Sequence, residues 1–508
     1  MVRSKMLLVW GLLLCTAGFL VSLNGCGGSS SQKTTITVLP PLSPIQHVVV
    51  IFQENRSPDN LFQDSKLIAA GANIQNYGVS AAQPGVHIPL TPVPLGCTPG
   101  SCNTYNPDHS HKPAFVDMCD LNSATNQCQM DGAYKIKSFC EKKGDISCLN
   151  GQGNYSYAYV QQSDVAPYFQ LAEAYTFADN MFQSNQGPSF PAHQYLISGS
   201  SAVAPPGMKG DNLFLAENPN GITTGISATD TGCTAPSDET VPIIDPSTGI
   251  ETPTYPCFDR PTITDLLNAK GISWKYYAPS AGSIWTAPNA ISHMCGPAHS
   301  TACTAADWVN NVVLASTQNP APVLTDIMNN QLPTVSWVIP SGRASDHPVT
   351  NDGSGPSWVA SVVNAIGNSP YWANTAIIIT WDDWGGWYDH VTPPLMLNHY
   401  EIGFRVPMIV VSPYSNLKNT GTGNNINHTF YEFGSILKFI ENTFGLGKIA
   451  PSAALTYADQ FAGPNPPGDL SDCFNFTQTP LTFKPVQAKF SASYFLNEKR
   501  APTDPDDD

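Results

Sequence analysis

Charge is scarce in this sequence of 508 residues: Asp, Glu, Lys and Arg together make up 12%, against about 25% in an ordinary soluble domain. What charge there is leans acidic, with a net value of -16, and the Lys and Arg residues form no cluster. That shortage disfavours a nucleic-acid partner, because phosphate backbones are held by Lys and Arg in number. No Cys-x-x-Cys pair occurs, so a zinc ribbon is a poor reading. No internal repeat is present either, which sets solenoid architectures aside. Asn, Ser, Thr, Gly and Pro fill the space that charge leaves, a composition common outside the cytoplasm.

The N-terminus points the same way. Arg3 and Lys5 precede an apolar stretch from Met6 to Leu23, followed by Gly25, Cys26 and a Gly/Ser run to Ser31. A positive start, an apolar middle and a small residue at the break describe an export signal. The segment Leu23-Asn24-Gly25-Cys26 resembles the lipobox of bacterial lipoproteins, in which the Cys becomes the lipidated first residue. Expected are a signal peptide over 1–25, lipidation at Cys26, a flexible tether over 26–44, and a place on the cell envelope held through the membrane by the lipid. Ordinary cleavage with secretion is the alternative; an uncleaved membrane helix fits less well, since the stretch is short and contains Gly11 and Gly18. Export favours disulfides. Pairing of neighbours would join Cys97–Cys102, Cys119–Cys128, Cys140–Cys148, Cys233–Cys257 and Cys295–Cys303, leaving Cys473 free, although sequence alone does not dictate connectivity.

Ordered structure is expected from Ile45. Short apolar runs at His47–Phe52, Ser273–Tyr277, Val335–Ile339, Ala376–Thr380 and Val406–Val411 read as strands of a sheet covered on both faces. Helical patterns lie between them: Thr262 to Lys270, stopped by Gly271; Ser357 to Ile366; and a helix to Phe444 opened by a capping box of Thr429 and Glu432. Strands alternating with helices give an α/β fold. Two stretches, about 85–150 and 201–260, are rich in Pro, Gly, Thr and Cys and read as cap-like insertions in a domain spanning 45–460. Residues 461–508 read as an irregular extension ending in an acidic, frayed tail.

In open α/β sheets, ligands bind beyond the carboxyl ends of the strands, so the first polar residues after each apolar run carry the most weight. These are Glu54, Asn55 and Arg56 after the first run, Asp382 and Asp383 after Ala376–Thr380, and Asp346 and His347 after Val335–Ile339. Three carboxylates and an amide oxygen from two strands make an oxygen-rich cation site, since packed like charges are costly unless a cation neutralises them. The bland alternatives are a turn at Asp382-Asp383, which Gly385-Gly386 follows, and a loop with a helix cap at Glu54-Asn55. Ser189, in Gly187-Pro188-Ser189-Phe190-Pro191, is either a nucleophile placed at a helix start, where backbone N–H groups suit phosphate, or merely that helix's cap.

The segment from Val48 to Ser57 resembles the opening signature of the bacterial phosphoesterase family that holds non-haemolytic phospholipases C and certain acid phosphatases. Asp179-Asn-Met-Phe, Gly187-Pro-Ser-Phe-Pro191 and Tyr195-Leu-Ile-Ser-Gly199 are similar to its nucleophile segment. Trp381-Asp-Asp-Trp-Gly-Gly-Trp-Tyr-Asp-His-Val-Thr-Pro-Pro394 resembles its most distinctive motif. The resemblance covers about 45–445. It implies an alkaline-phosphatase-like fold with a mostly parallel central sheet, a divalent metal (Mg, Mn, Ca or Zn) on Glu54, Asn55, Asp382 and Asp383, and Ser189 as a metal-touching nucleophile that forms a phosphoserine. His347, and His109 or His111, fall on active-site histidines that would protonate the leaving oxygen; His390 is a further candidate and His293 a weaker one. Pro58, Asn60 and Ala192-His193 depart from the family's usual residues, which opens the substrate preference. The implied substrate is a phosphate monoester or a phospholipid. The chain ends soon after the core, which leans toward a phosphatase over a phospholipase C. A tethered binding protein without turnover is the competing reading from another class, and retention of Ser189 with all four ligands disfavours it. A sulfatase-type reading lacks the Cys/Ser-x-Pro-x-Arg setting.

Overall fold

Runs of β-branched and aromatic residues, sealed on both sides, organise the molecule. The computed structural model describes residues 43–96, 106–139, 154–219, 231–348, 350–394, 402–450, 458–460 and 465–503. Strand β1 (His47–Gln53) is fully buried from Val48 to Phe52, as a strand covered on both faces must be. It is followed by α1 (Pro58–Leu61), α2 (Ala166–Ala174), β2 (Thr176–Ala178) and α3 (Ser189–Ser198). The second half supplies α4 (Ile263–Ala269), β3 (Trp274–Ala278), β4 (Val312–Leu314), β5 (Val335–Val338) and α5 (Gly355–Gly367). Then come β6 (Thr375–Trp381), β7 (Met408–Val411), β8 (Ile426–Asn427) and α6 (Phe433–Phe444).

These strands form one 8-stranded sheet in the order β4-β3-β5-β1-β6-β7-β2-β8. Pairs from β4 to β6 are parallel, as is β2 with β8, while β7 runs against both of its neighbours. The architecture is the expected α/β one, a mostly parallel sheet flanked by helices. The run expected from Val406 becomes a strand only at Met408, because Pro407 has no N–H to give to a ladder.

Two helix starts show how local chemistry sets the boundaries. Helix α4 opens with a capping box of Thr262 and Asp265. For α6 the expected box of Thr429 and Glu432 is corrected. Residues Tyr431–Glu432 pair with Met181–Phe182 and keep the chain extended. Glu432 is therefore itself the cap, accepting from Gly434 N at 2.8 Å, while Ser435 Oγ accepts from Glu432 N at 3.1 Å. The Thr429 hydroxyl donates instead to Asp472, 2.6 Å away.

Within the insertions, Phe214–Leu215, Val241–Asp245 and Ile250–Thr254 form a small antiparallel sheet. Disulfides join Cys119–Cys128, Cys233–Cys257 and Cys295–Cys303, and Cys473 is a buried free thiol, as neighbour pairing predicts. The pairings proposed for Cys97, Cys102, Cys140 and Cys148 lie outside the described residues, as do the export signal and Cys26. Among the described residues no helix is long and apolar enough to cross a membrane.

The C-terminal extension is irregular but, as far as Thr503, far from frayed. Asn364 and Val486 exchange two hydrogen bonds of 2.9 and 2.8 Å, and Phe490 N donates to Ser357 Oγ at 3.2 Å. Further on, Gly342 N donates to Thr503 O at 2.8 Å and Arg343 N to Thr503 Oγ1 at 3.1 Å. The extension thus lies along α5 and fastens onto the loop that follows β5. The acidic tail itself falls outside the described residues.

Candidate active site

Because β1 and β6 are adjacent and Gln53 is in register with Trp381, the residues that follow each strand emerge side by side at the carboxyl edge of the sheet. Those residues are Glu54-Asn55 and Asp382-Asp383, all of them completely buried. Asn55 turns the chain sharply, at φ 57, the left-handed region that costs a non-glycine residue energy and is favoured only where the surroundings enforce it. Here the Asn55 N–H donates to Asp382 Oδ1 at 2.8 Å. Opposite, a Cβ on Gly385 would stand 2.2 Å from the Asn55 carbonyl, so only glycine lets the second turn close over the first. The turn expected as the bland reading of Asp382-Asp383 is present, and it builds the cluster.

Ser189 enters from α3. The helix has Pro188 at its cap position and no side-chain capping bond, so Ser189 is its first helical residue and not its cap. Its Oγ lies 3.4 Å from Glu54 Oε2 and 3.5 Å from Asp383 Oδ2. The helix start offers less to an anion than the sequence implies: the Phe190 N–H is taken by Asn218 Oδ1 at 2.9 Å, and Pro191 has no N–H.

One turn along the same helix stands His193, fully buried, its Nε2 3.1 Å from Glu54 Oε1. Glu54, His193 and Asp382 each turn one donor atom to within 4.8 Å of the others. Sequence reasoning treated His193 only as a departure beside the nucleophile. The available signal was its helical spacing from Ser189, which puts both on one face.

The electrostatics call for a cation. Burial first, then the charges of Asp382 and Asp383, push the Glu54 carboxyl well above its ordinary range, and burial with Asp382 does the same to Asp383. His193 brings no positive charge, because burial pulls it down to about 4 against the opposing pull of Asp382. Arg56, the next residue, turns away: Nε and Nη2 donate to the Asp346 carbonyl at 3.0 and 2.8 Å, with the guanidinium 5.0 Å from the Trp387 ring centre. Meanwhile Asn55 Oδ1 and Asp382 Oδ2 are buried without a hydrogen-bond partner. Buried acceptors are rarely left so. Three carboxylates, one with an unpartnered oxygen, the unpartnered Asn55 amide oxygen and a serine hydroxyl fit a divalent cation.

The candidate histidines separate into two groups. His109 faces the cluster: its Nδ1 is 2.9 Å from the Pro107 carbonyl and its Nε2 accepts from Asn55 Nδ2 at 2.9 Å. That bond, with the weaker ones from the same amide to Asp383 at 3.3 and 3.4 Å, fixes which way the Asn55 oxygen points. His347 lies beside His109, ring centres 6.2 Å apart, and its Nδ1 faces the Pro348 carbonyl at 2.8 Å. Burial and the neighbouring His109 bring its pKa down to about 3. His111 is placed elsewhere, its Nδ1 2.9 Å from Glu251 Oε1 in the insertions. His390 is bonded to Asp59 at 2.7 Å and Asn73 at 2.9 Å, and His293 to Asp259 at 2.6 Å; neither bond reaches the cluster. The departures at Pro58 and Asn60 are structural. Pro58 opens α1, and Asn60 Nδ2 donates to the Ala158 carbonyl at 2.8 Å.

The chain is similar to several known proteins. The profile of the phosphoesterase family matches residues 45–447. Phospholipase C B of Mycobacterium tuberculosis is 25% identical over 479 residues, covering 87% of this chain and 80% of that protein. The non-hemolytic phospholipase C of Pseudomonas aeruginosa is 26% identical over 471 residues, 84% of this chain, which spans 58% of that protein's length. Among solved structures, a protein of the alkaline phosphatase superfamily from Vibrio parahaemolyticus aligns with a TM-score of 0.30 and 12% identity over 56% of this chain and 61% of its own.

Proposed function

The chain belongs to the phosphoesterase family, and from that premise we propose that it hydrolyses phosphate esters through Ser189 as nucleophile, in a cage made by Glu54, Asn55, Asp382 and Asp383. The observation that carries the reading is the position of Ser189 Oγ, 3.4 Å from Glu54 and 3.5 Å from Asp383 at the first turn of α3, beside buried oxygens with no protein partner. A divalent cation bound there would supply positive charge that eases ionisation of the serine and offsets charge on the phosphoryl oxygens. The residues do the rest. Ser189 Oγ passes its proton to a carboxylate it faces, Glu54 or Asp383, and forms a bond to phosphorus as the bond to the ester oxygen breaks; the proton returns to Oγ when water cleaves the phosphoserine. His109 holds the Asn55 amide in place. His347, whose Nδ1 is committed to a backbone carbonyl, exchanges protons through Nε2, first with the departing oxygen and then with the water that cleaves the phosphoserine. The charge of a bound phosphate ester raises the proton affinity of this buried imidazole.

As substrate the reading places a phospholipid first, because the matched relatives from Mycobacterium and Pseudomonas are phospholipases C. The leaning toward an acid phosphatase rested on the short C-terminal region, and a phospholipase C matched over 80% of its length removes that support. Export and a lipid anchor at Cys26 complete the proposal. They rest on Arg3, Lys5, the apolar stretch and Gly25-Cys26, and predict a mature N-terminus at an acylated Cys26 by mass spectrometry.

The deciding experiment combines Ser189→Ala with acid quenching. The variant should fold normally and lose about three or more powers of ten in turnover. Wild type quenched during turnover should yield phosphate on the peptide containing Ser189; label on a histidine would refute the mechanism. Phosphatidylcholine, p-nitrophenyl phosphorylcholine and p-nitrophenyl phosphate, each with and without chelator, order the substrates.

A further inference from the structure

We propose that His193 is a direct ligand of the cation held by the carboxylate cage, which makes the site a mixed nitrogen–oxygen centre suited to Zn, Mn, Fe or Co rather than to Mg or Ca. This rests on the metal cage described above and assigns a residue outside the set of Glu54, Asn55, Asp382 and Asp383.

The argument begins with the far side of the ring. Nδ1 of His193 lies 3.4 Å from the Tyr276 hydroxyl. Tyr276 Oη donates its own hydrogen to the Trp285 carbonyl at 2.7 Å. With its hydrogen committed there, the tyrosine oxygen can only accept from His193. Nδ1 must carry the ring hydrogen, and the second nitrogen is left with a lone pair. That lone pair points at Glu54 Oε1, 3.1 Å away, with Asp382 in the same cluster. Two lone pairs at that distance repel unless a proton or a cation lies between them. Donor atoms held about 2.1 Å from one ion sit roughly 3.0–3.4 Å apart in octahedral or tetrahedral geometry, and the observed separation falls inside that range.

The arrangement of Tyr276 and Trp285 is the outer support that metal-bound imidazoles use, a partner on the distal nitrogen that fixes the tautomer and ring orientation. Burial of both side chains holds the geometry: His193 and Glu54 are wholly inaccessible. Imidazole favours transition metals, whereas carboxylates, amides and hydroxyls alone suit Mg and Ca. Placing one nitrogen among those oxygens biases the choice of ion.

The test uses the full-length protein stripped by chelator and reloaded separately with Zn, Mn, Co, Mg or Ca, with retained metal measured after desalting. Wild type should hold the transition metals far more tightly than Mg or Ca. His193→Gln places an amide near the Nε2 position and should weaken transition-metal retention by more than about 100-fold, with much less effect on Mg. Tyr276→Phe removes the support, together with the hydroxyl's bond to the Trp285 carbonyl, and should cost about 10–100-fold in metal retention. Pulsed EPR of the Mn-loaded wild type should show coupling to an imidazole nitrogen, a readout independent of whether any variant folds. Absence of that coupling, or unchanged metal preference in folded His193→Gln, overturns the assignment. Asp382→Ala separates the two layers. If it retains metal like wild type, the cage itself is wrong; if it loses metal while His193→Gln keeps the wild-type preference, only the histidine ligand is wrong.

Discussion

Among the described residues, three groups bring carboxylates and a histidine within reach of a shared ion, and in two of them, Glu54–His193–Asp382 and Asp59–Asp389–His390, the carboxylates are buried. Their donor geometry is alike and their counter-charges are not. In the second cluster Arg405 binds Asp389 through two hydrogen bonds of 2.8 and 2.9 Å and lies 3.5 Å from Asp59, while Gln75 N donates to Asp59 at 2.8 Å. In the first, the guanidinium of Arg56, the residue after Asn55, is turned to a backbone carbonyl, and the cage has two oxygens without a protein partner. The histidines report the difference. Burial alone would lower His390, but its hydrogen bond to Asp59 and the surrounding negative charge raise it, whereas burial wins at His193 and lowers it to about 4. Proximity of ligand-type residues therefore does not mark a metal site in this fold. On the proposed reading, a deficit of positive charge beside orphaned acceptors is what sets the first cluster apart.

The comparison can be broken by exchanging the behaviour of the two clusters. The largest effect is expected from Asp382→Ala, which should lose the bound cation and about three or more powers of ten in turnover, with the fold intact by circular dichroism; unchanged metal stoichiometry would erase the distinction. Next comes Arg405→Met, which strands two buried carboxylates and should destabilise the protein by about 3–5 kcal/mol in urea unfolding, while the protein that remains folded still binds its cation. A smaller effect follows from chelation. A cation present at about 100 times its dissociation constant adds about 2.7 kcal/mol to stability, so the melting temperature should fall when metal is stripped from wild type and from Arg405→Met, and should not respond in Asp382→Ala.

The smallest effect sharpens the pH side. His390 is raised above its ordinary value of about 6.5, so its stabilising contribution is complete below about pH 6.5 and fades as pH rises through its folded-state value. His390→Gln should flatten that part of the stability curve, by about 1 kcal/mol or less, and leave turnover on a soluble ester unchanged at fixed pH. A loss of turnover would return His390 to the site.

How far the sequence reveals this contrast depends on the kind of contact. Strand ends are legible, because continuous apolar runs stop at the sheet's carboxyl edge and polar residues take over, and that places Glu54, Asn55, Asp382 and Asp383 on one edge. The signature around Ser189 marked the helix start. What could not be read is which partner a side chain finds across the fold. His390 sits in the same motif as Asp382 and Asp383 yet bonds Asp59, and His109 and His111, two residues apart, face different neighbours. His193 escapes a sequence reading because an unfamiliar residue beside a nucleophile reads as a change in the wall, and only the folded structure sets it against Glu54 and Tyr276. The antiparallel β7 and the docking of residues 465–503 depend on pairings that leave no local pattern.

The split of the cage between β1 and β6 also governs when it can exist. Asn55 and Asp383 touch across a separation of 328 residues. A growing chain presents Glu54 and Asn55 long before Asp382 and Asp383 are synthesised, so no early fragment carries the full set of donors. Closing so long a loop is an entropic cost met only once the intervening strands have assembled. An ion bound by the proposed cage would accordingly be a late arrival in the life of each molecule: it could not nucleate the sheet, and a scaffold already built would capture it.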